Sequence, residues 1–572
     1  MYPEQRGPGQ ESQIQYGATP VRPPTPVAGN GRHTEAVTSS ATRHLCAGAY
    51  VDDTFRDDCL REVLHQPRRV VAPSYGFDLL TVLGHCQRAR NIAIYRDATI
   101  LGIAVVTACL SATSLLVAVI MLVYLNAAVA TYRLLREAFR QLRAGNVAIR
   151  SLVASLWGNA LNVVASIIVL FIAYLILAAL SANALGGAAF GQPGALLAAT
   201  FGGFVLFFVF LALPVGAQIW RQIALDALAP GHQPAPPRMS PRMQEINSQQ
   251  GGNAVIYSDY RPFVGSGEVV NTWGFAQRLV RAGDPLGLAQ RESEREFEVP
   301  PFTGLEIVAH VRDQLDSLRY GDSSERILPG LTVEDRIFLA GTETSNLSPW
   351  MRPEMIPQII RNPIAPARHY LACQVVSWRG ELVATVYVHM AVQGKSLYME
   401  MTSTALVPCK PAYRAVDTVD CHGAMAYLRA IKQGVLDGPR TVGAAAASLF
   451  RAGVDALALS TRATVAQAVL PRGFDYGARI GVRELGMAAN TRDHLQTQEI
   501  LKHIRVIERR VLAAVLDFLE DRDVDITEYR QRSAGILNFG AINTGAGGTA
   551  NAGPSAPFGV QNLVMPAPGG AV

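Results

Sequence analysis

The sequence is poor in lysine, in paired cysteines and, over two long stretches, in any charge at all. Only four of its 51 basic residues are lysines, Lys395, Lys410, Lys432 and Lys502. With abundant Ala and Gly, this arginine bias reads as the coding habit of a high-GC bacterium, a mark of ancestry rather than mechanism. The seven cysteines are odd in number, contain no CxxC pair, and include Cys109 inside an apolar run. That excludes a disulfide framework and suits reduced thiols in a cytoplasmic setting. The opening "MYPEQRGPGQESQ" lacks the apolar core of a signal peptide. The net charge of +5 is too mild to point to nucleic acid.

Charged residues make up 17% of the chain, against about 25% in soluble proteins. The deficit is local. No Asp, Glu, Lys or Arg occurs from Ala98 to Tyr132, nor from Ser151 to Trp220. The first tract, at 98–132, contains 33 residues from Thr99 to Thr131. One straight helix of that length rises about 50 Å, against a hydrocarbon core of ~30 Å. Two helices of about 15 residues reach only ~22 Å each and would form a shallow intramembrane hairpin, turning at Ser111–Ser114. The second tract predicts a transmembrane hairpin at 160–220, broken by "GGAAFGQPG" and ending at an interfacial Trp220.

Between them, residues 133–150 read as a basic amphipathic helix. Arg133, Arg136, Arg140 and Arg143 lie on one face, suited to anionic lipid headgroups. The loop at 184–193 is uncharged while Arg133–Arg150 and Arg221 flank the other side. The positive-inside rule therefore places the C-terminal domain in the cytoplasm of a multi-pass inner-membrane protein. The hairpin reading of 98–132 is adopted because it keeps Arg88, Arg90 and Arg96 on that side too.

The rest of the chain divides by composition. Residues 1–40 and 536–572 are low in apolar content and expected to be disordered. Residues 41–97 predict a small helical juxtamembrane region, with Phe55, Cys59, Leu60 and Val63 at helical spacing. Residues 228–250 form a Pro-rich linker. Residues 251–535 predict an α+β cytoplasmic domain attached to the α-helical transmembrane region. Its signature is "YLACQVVSWRGELVATVYVHMAVQGKSLYMEMTSTALV", an antiparallel three-stranded meander with turns at Arg379-Gly380 and Gln393-Gly394. One face should be covered by helices. "CHGAMAYLRAIKQGVLDG" is expected to end at its Gly stop, followed by a separate Ala-rich segment. A long helix at 491–521 carries Ile500, Ile504, Ile507, Val511, Ala514 and Phe518 on one seam. That seam should pack on the sheet, with a protein partner or self-association as the alternative.

Chemical motifs are incomplete. "VGSG" around Ser266 has glycines that could admit a phosphate, but no P-loop or dinucleotide pattern accompanies it, and a turn is the simpler reading. Asp521, Asp523 and Asp525 begin a calcium-loop spacing that fails at Ile526 and Arg532. Asp417, Asp420, Cys421 and His422 cluster, with Cys373, Cys409, His369 and His389 able to join them only in three dimensions. No catalytic, cofactor or metal residues are assigned. The apolar tracts contain no ionisable group, only Asn126, Asn159, Asn162 and Asn183, which disfavours transport.

"YSDYRPFVGSGEVVNTWGFAQRL", "ILPGLTVEDRIFLAGT", "RHYLACQVVSWRGELVATVYV" and "LCAGAYVDDTFRDDCLREVL" resemble segments of large uncharacterised membrane proteins of actinobacteria. The resemblance covers about residues 40–535 and implies source and membrane location, with no site residues. The expected role is a non-catalytic, membrane-anchored scaffold or sensor. Alternatives are a membrane-associated enzyme whose site forms only on folding, or an oligomeric pore or carrier.

Overall fold

The computed structural model describes residues 39–143, 168, 193–283, 294–319, 327–343, 348–466, 474–489 and 493–542. Residues 1–38 and 543–572 of the tails expected at 1–40 and 536–572, and the first limb of the second hairpin apart from Ile168, lie outside these residues.

The chain opens with α1 (Ser40–Val51) and α2 (Asp53–Asp58), which runs into a π-helical turn at Cys59–Leu64. Asp52 caps α2 by accepting from the Phe55 amide. Phe55, Cys59, Leu60 and Val63 are buried together. Two 32-residue helices follow, α3 (Leu79–Leu110) and α4 (Ala112–Arg143). The break falls at Ser111, whose φ of −158° is extended backbone open to any residue. Its Oγ accepts from the Ser114 amide, so a serine cap makes the turn without Gly or Pro. The 33-residue tract is therefore neither one over-long span nor two 15-residue pieces. It is the junction of two helices that each extend well beyond it, and the basic helix expected at 133–150 is the end of α4 over its described part. α5 (Pro193–Asp226) has 34 residues.

These three helices are long and apolar enough to cross a membrane. At most 22% of the residues in their most apolar stretches are buried. Ile100, Ala118, Leu122 and Phe210 meet in one small cluster. Val105, Val106, Phe201, Phe204 and Phe208 point outward.

The linker expected at 228–250 instead contains α6 (Pro241–Gln249), capped by Ser240 and holding Met243 and Ile246 at 0% exposure against α3. Beyond it lie β1 (Ala254–Tyr257), β2 (Glu268–Arg278), α7 (Gly304–Asp316), β3 (Leu331–Ala340), α8 (Ile356–Arg361), β4 (Arg368–Ser377), β5 (Leu382–Gln393) and β6 (Ser396–Leu406). The sheet order is β1-β3-β4-β5-β6-β2, with β1 parallel to β3 and every other pair antiparallel. The expected meander is β4-β5-β6, enlarged to a six-stranded mixed sheet.

Leu382, Ala384, Val386, Val388 and Met390 face α7 and the long helix α11 (His494–Glu520). The α11 seam from Ile500 to Phe518 is buried in that core. The other sheet face is covered as well, contrary to expectation. Tyr387 is fully buried there, with Phe338, Tyr370, Ala72 and Phe263 around it. Part of this cover, Ala72 and Tyr75, comes from the N-terminal region.

α9 (Ala424–Ala466) runs 43 residues through the expected stop at Gly438-Pro439 and into the Ala-rich segment. Packing against α5 overrides the local signal. A Cβ at Gly434 would lie 2.6 Å from Val215 Cα, and one at Gly438 2.9 Å from Leu211 Cδ1. Short α10 (Val482–Gly486) and α12 (Thr527–Ile542) complete the described chain, α12 occupying the start of the expected tail.

Candidate functional site

The most concentrated chemistry joins the first helix to the sheet domain. α1 projects Arg43 and His44 into a space closed by Glu381 at the start of β5, Cys409 after β6, Asp417, and Arg483 on α10. His44 Nδ1 lies 2.6 Å from Glu381 Oε1 and its Nε2 2.7 Å from Asp417 Oδ2. Arg43 donates to Asp417 at 2.6 Å and to the Leu228 carbonyl at 3.1 Å. Glu381 also accepts from the Cys409 amide at 2.8 Å. Arg483, 1% exposed, donates to the Glu381 and Val407 carbonyls and to Cys409 Sγ. His44 thus has a carboxylate oxygen within hydrogen-bond distance of each ring nitrogen.

Burial pushes the Glu381 carboxyl up, but the His44 hydrogen bond and the Arg483 charge outweigh it and bring it down to about 2. Asp417 is likewise raised by burial but lowered further by Arg43 and His44. Burial raises the Cys409 thiol to about 12. A second tie lies nearby: Asp52 accepts from Tyr413 Oη at 2.6 Å and Lys410 Nζ at 3.1 Å.

The donor atoms of His44, Glu381 and Cys409 lie within 4.8 Å of one another, a spacing that could hold a metal ion. The surroundings oppose one. The Arg483 guanidinium already sits on Cys409, the thiol is held in its protonated form, and both Glu381 oxygens are engaged. The group is an ion-paired clasp.

The residues singled out in the sequence scatter. Cys373 is buried in the main core, and His369 bonds Asp335 at 2.7 Å while its carbonyl accepts from His389 at 2.8 Å. His422 bonds Asp226 at 2.9 Å and the Val416 carbonyl at 2.7 Å; that backbone bond and the nearby carboxylate raise its pKa. Asp525 caps Thr527 and pairs with Arg295 at 2.9 Å, so the acidic triplet turns the chain between α11 and α12. Of the set, only Asp417 and Cys409 reach the clasp. His44, Glu381 and Arg483 carry no local signal, since His44 and Glu381 are separated by 337 positions.

The VGSG turn is a genuine cradle, already filled. Gly265 and Gly267 have φ of +88° and +90°, and a Cβ at Gly267 would lie 2.1 Å from the Ala405 carbonyl oxygen. Their amides, at 2.7 and 2.9 Å, and that of Gly481, at 3.1 Å, donate to the Glu484 carboxylate. Ser266 is 1% exposed and bonds Tyr387 Oη at 2.6 Å. Glu484 occupies the place a phosphate would need.

Residues 272–551 match the family model of the AbeC-like domain. The matched stretch begins inside β2 and contains Glu381, Cys409, Asp417 and Arg483; Arg43 and His44 lie outside it. No curated protein and no solved structure matches the chain.

Proposed function

We propose that the protein is a multi-pass inner-membrane protein acting as a non-catalytic scaffold or sensor, with its N-terminal helices and its AbeC-like domain together on the cytoplasmic side. The clasp carries this reading. Arg43 and His44 precede the apolar helices, whereas Glu381, Asp417 and Arg483 follow them, and groups in hydrogen-bond contact must share one side of a bilayer. The chain then crosses an even number of times between residues 97 and 227. α3, α4, the apolar run at 160–184 and α5 supply four passes.

The basic end of α4 supports the orientation. Arg136, Arg140 and Arg143 are exposed there beside Leu135 and Phe139, a pattern suited to anionic headgroups. Arg133 instead pairs with Asp437 at 2.6 Å. The arginine bias and the sequence resemblance support an actinobacterial source. Self-association through α11 is not part of this reading, because its apolar seam is consumed by the core.

Native Cys46 and Cys59 cannot report sidedness, since both are fully buried. The test uses exposed positions, Thr54→Cys before the apolar helices and Arg509→Cys after them, in a Cys109→Ala background. Both should react with an impermeant maleimide only after the cells are permeabilised. Labelling of Thr54→Cys alone in intact cells would overturn the even-pass arrangement.

A further inference from the structure

α9 belongs to the stretch matched by the AbeC-like model, yet it packs with the membrane-length helices. Val442 and Ala445 share the cluster of Ile100, Ala118, Leu122 and Phe210. Gly434, Gly438 and Ala445 fall on one side of α9 at 3.6 residues per turn, the side against α5. The opposite side is apolar and uncovered. Met425, Leu428, Phe450, Val454 and Leu457 lie within about a quarter turn of one another, and are 50–73% exposed.

The charges on α9 are sorted. Its two acidic residues both pair with arginines of the apolar helices, Asp437 with Arg133 at 2.6 Å and Asp455 with Arg90 at 3.0 Å. The exposed side chains Arg429, Arg440 and Arg451 fall along one border of the apolar stripe, and Lys432 lies within it. An outward face that is apolar, bordered by cations and stripped of free carboxylates has the composition of a lipid-facing helix whose long cationic side chains reach the headgroups.

We infer that α9 faces lipid alongside α3–α5, with Phe450, Val454 and Leu457 among the acyl chains and its arginines reaching toward anionic phospholipid headgroups. The AbeC-like domain is then itself membrane-seated rather than held only by a tether. This rests on the membrane reading of α3–α5 above. Two other covers for the stripe are the apolar run at 160–184 and a second copy of the chain. The basic border favours lipid over the uncharged run, and the exposure of large apolar side chains on all of α3, α4, α5 and α9 favours lipid, which can cover every helix, over a single copy seated on α9.

The test places an environment-sensitive NBD label on single cysteines of the full-length protein in nanodiscs. The discs contain phosphatidylcholine with or without phosphatidylglycerol, and lipids carrying doxyl quenchers. Val454→Cys should be quenched severalfold relative to Arg509→Cys on α11, and more strongly with phosphatidylglycerol present. Phe204→Cys on α5 is the control. If Phe204→Cys is not quenched, the membrane reading fails as a whole. If it is quenched while Val454→Cys emits as in water, the inference about α9 alone is overturned. A blue-shifted but unquenched Val454→Cys also overturns it. Cross-linking then assigns the cover to a second copy or to residues 160–184.

Discussion

Two apolar regions of this molecule use much the same side chains and meet opposite surroundings. In the sheet domain, Val386, Met399, Ile507 and Val511 are all fully buried, and each is covered by another part of the chain. Along α3, α4 and α5 the same residue types point outward, with Phe201 at 71% and Val106 at 57% exposure. Hydrophobicity alone therefore does not define a core. In the sheet domain another layer of the chain covers the apolar face, whereas most of the apolar surface of α3–α5 is left uncovered among the described residues, as the membrane reading proposed above requires. Arginine marks the boundary between the two regimes, buried and multiply bonded at Arg483 and Arg43, exposed along the end of α4.

The strongest way to break this contrast is at the clasp between the regions. Glu381→Ala leaves Arg483 and His44 buried without their carboxylate, a loss of about 3–5 kcal/mol. Hydrogen exchange should then rise across residues 40–64 while the α11 seam stays protected; unchanged exchange at 40–64 would remove the clasp from the account. Next comes a matched pair. Ile507→Ala opens a cavity in a closed core and should cost about 2–5 kcal/mol in the thermal unfolding of the sheet domain. Phe204→Ala, on the outward face, should leave that transition within about 0.5 kcal/mol. Equal effects would mean that α5 packs like an ordinary core helix.

The pH dependence is smaller in effect and sharper in sign. Glu381 and Asp417 have folded pKa values below the unfolded carboxyl value of about 4. Their contribution is complete above the unfolded value and is lost as pH falls through the folded values. Residues 40–64 should stay protected at pH 7 and 5 and open between pH 4 and 2. Glu381→Gln should flatten that acid limb. The smallest effect is expected for Tyr529→Phe, which removes a buried hydrogen bond of 2.9 Å to the Leu512 carbonyl. It should lower the sheet domain's stability by about 1 kcal/mol.

What could be read in the sequence was whatever is encoded over neighbouring residues. The β4-β5-β6 alternation, the α11 seam and the polar interruption at Ser111–Ser114 are all local patterns. The clasp was invisible because its members come from four separate segments, each ordinary by itself. The second sheet face is not legible locally, because part of its cover, Ala72 and Tyr75, precedes β1 by about 180 positions and β4 and β5 by about three hundred. α9 was cut too short because Gly438-Pro439 reads as a stop, and only the approach of Leu211 and Pro214 shows why glycine is there. The glycine turn at 265–267 was recognised as able to hold an anion, but nothing local could say that Glu484 is the anion it holds.

The long separation within the clasp also has a meaning in time. His44 leaves the ribosome about 440 residues before Arg483. At a synthesis rate of 5–20 residues per second the first helices wait roughly 20 to 90 s for the surface that buries them. Through that interval Leu45, Cys46, Phe55 and Cys59 lack the cover that Cys409, Tyr413, Val416 and Val482 later supply. On the membrane reading proposed above, α3 next to them holds this waiting segment near one patch of membrane, so the final docking is a search over a confined area rather than through the cell volume.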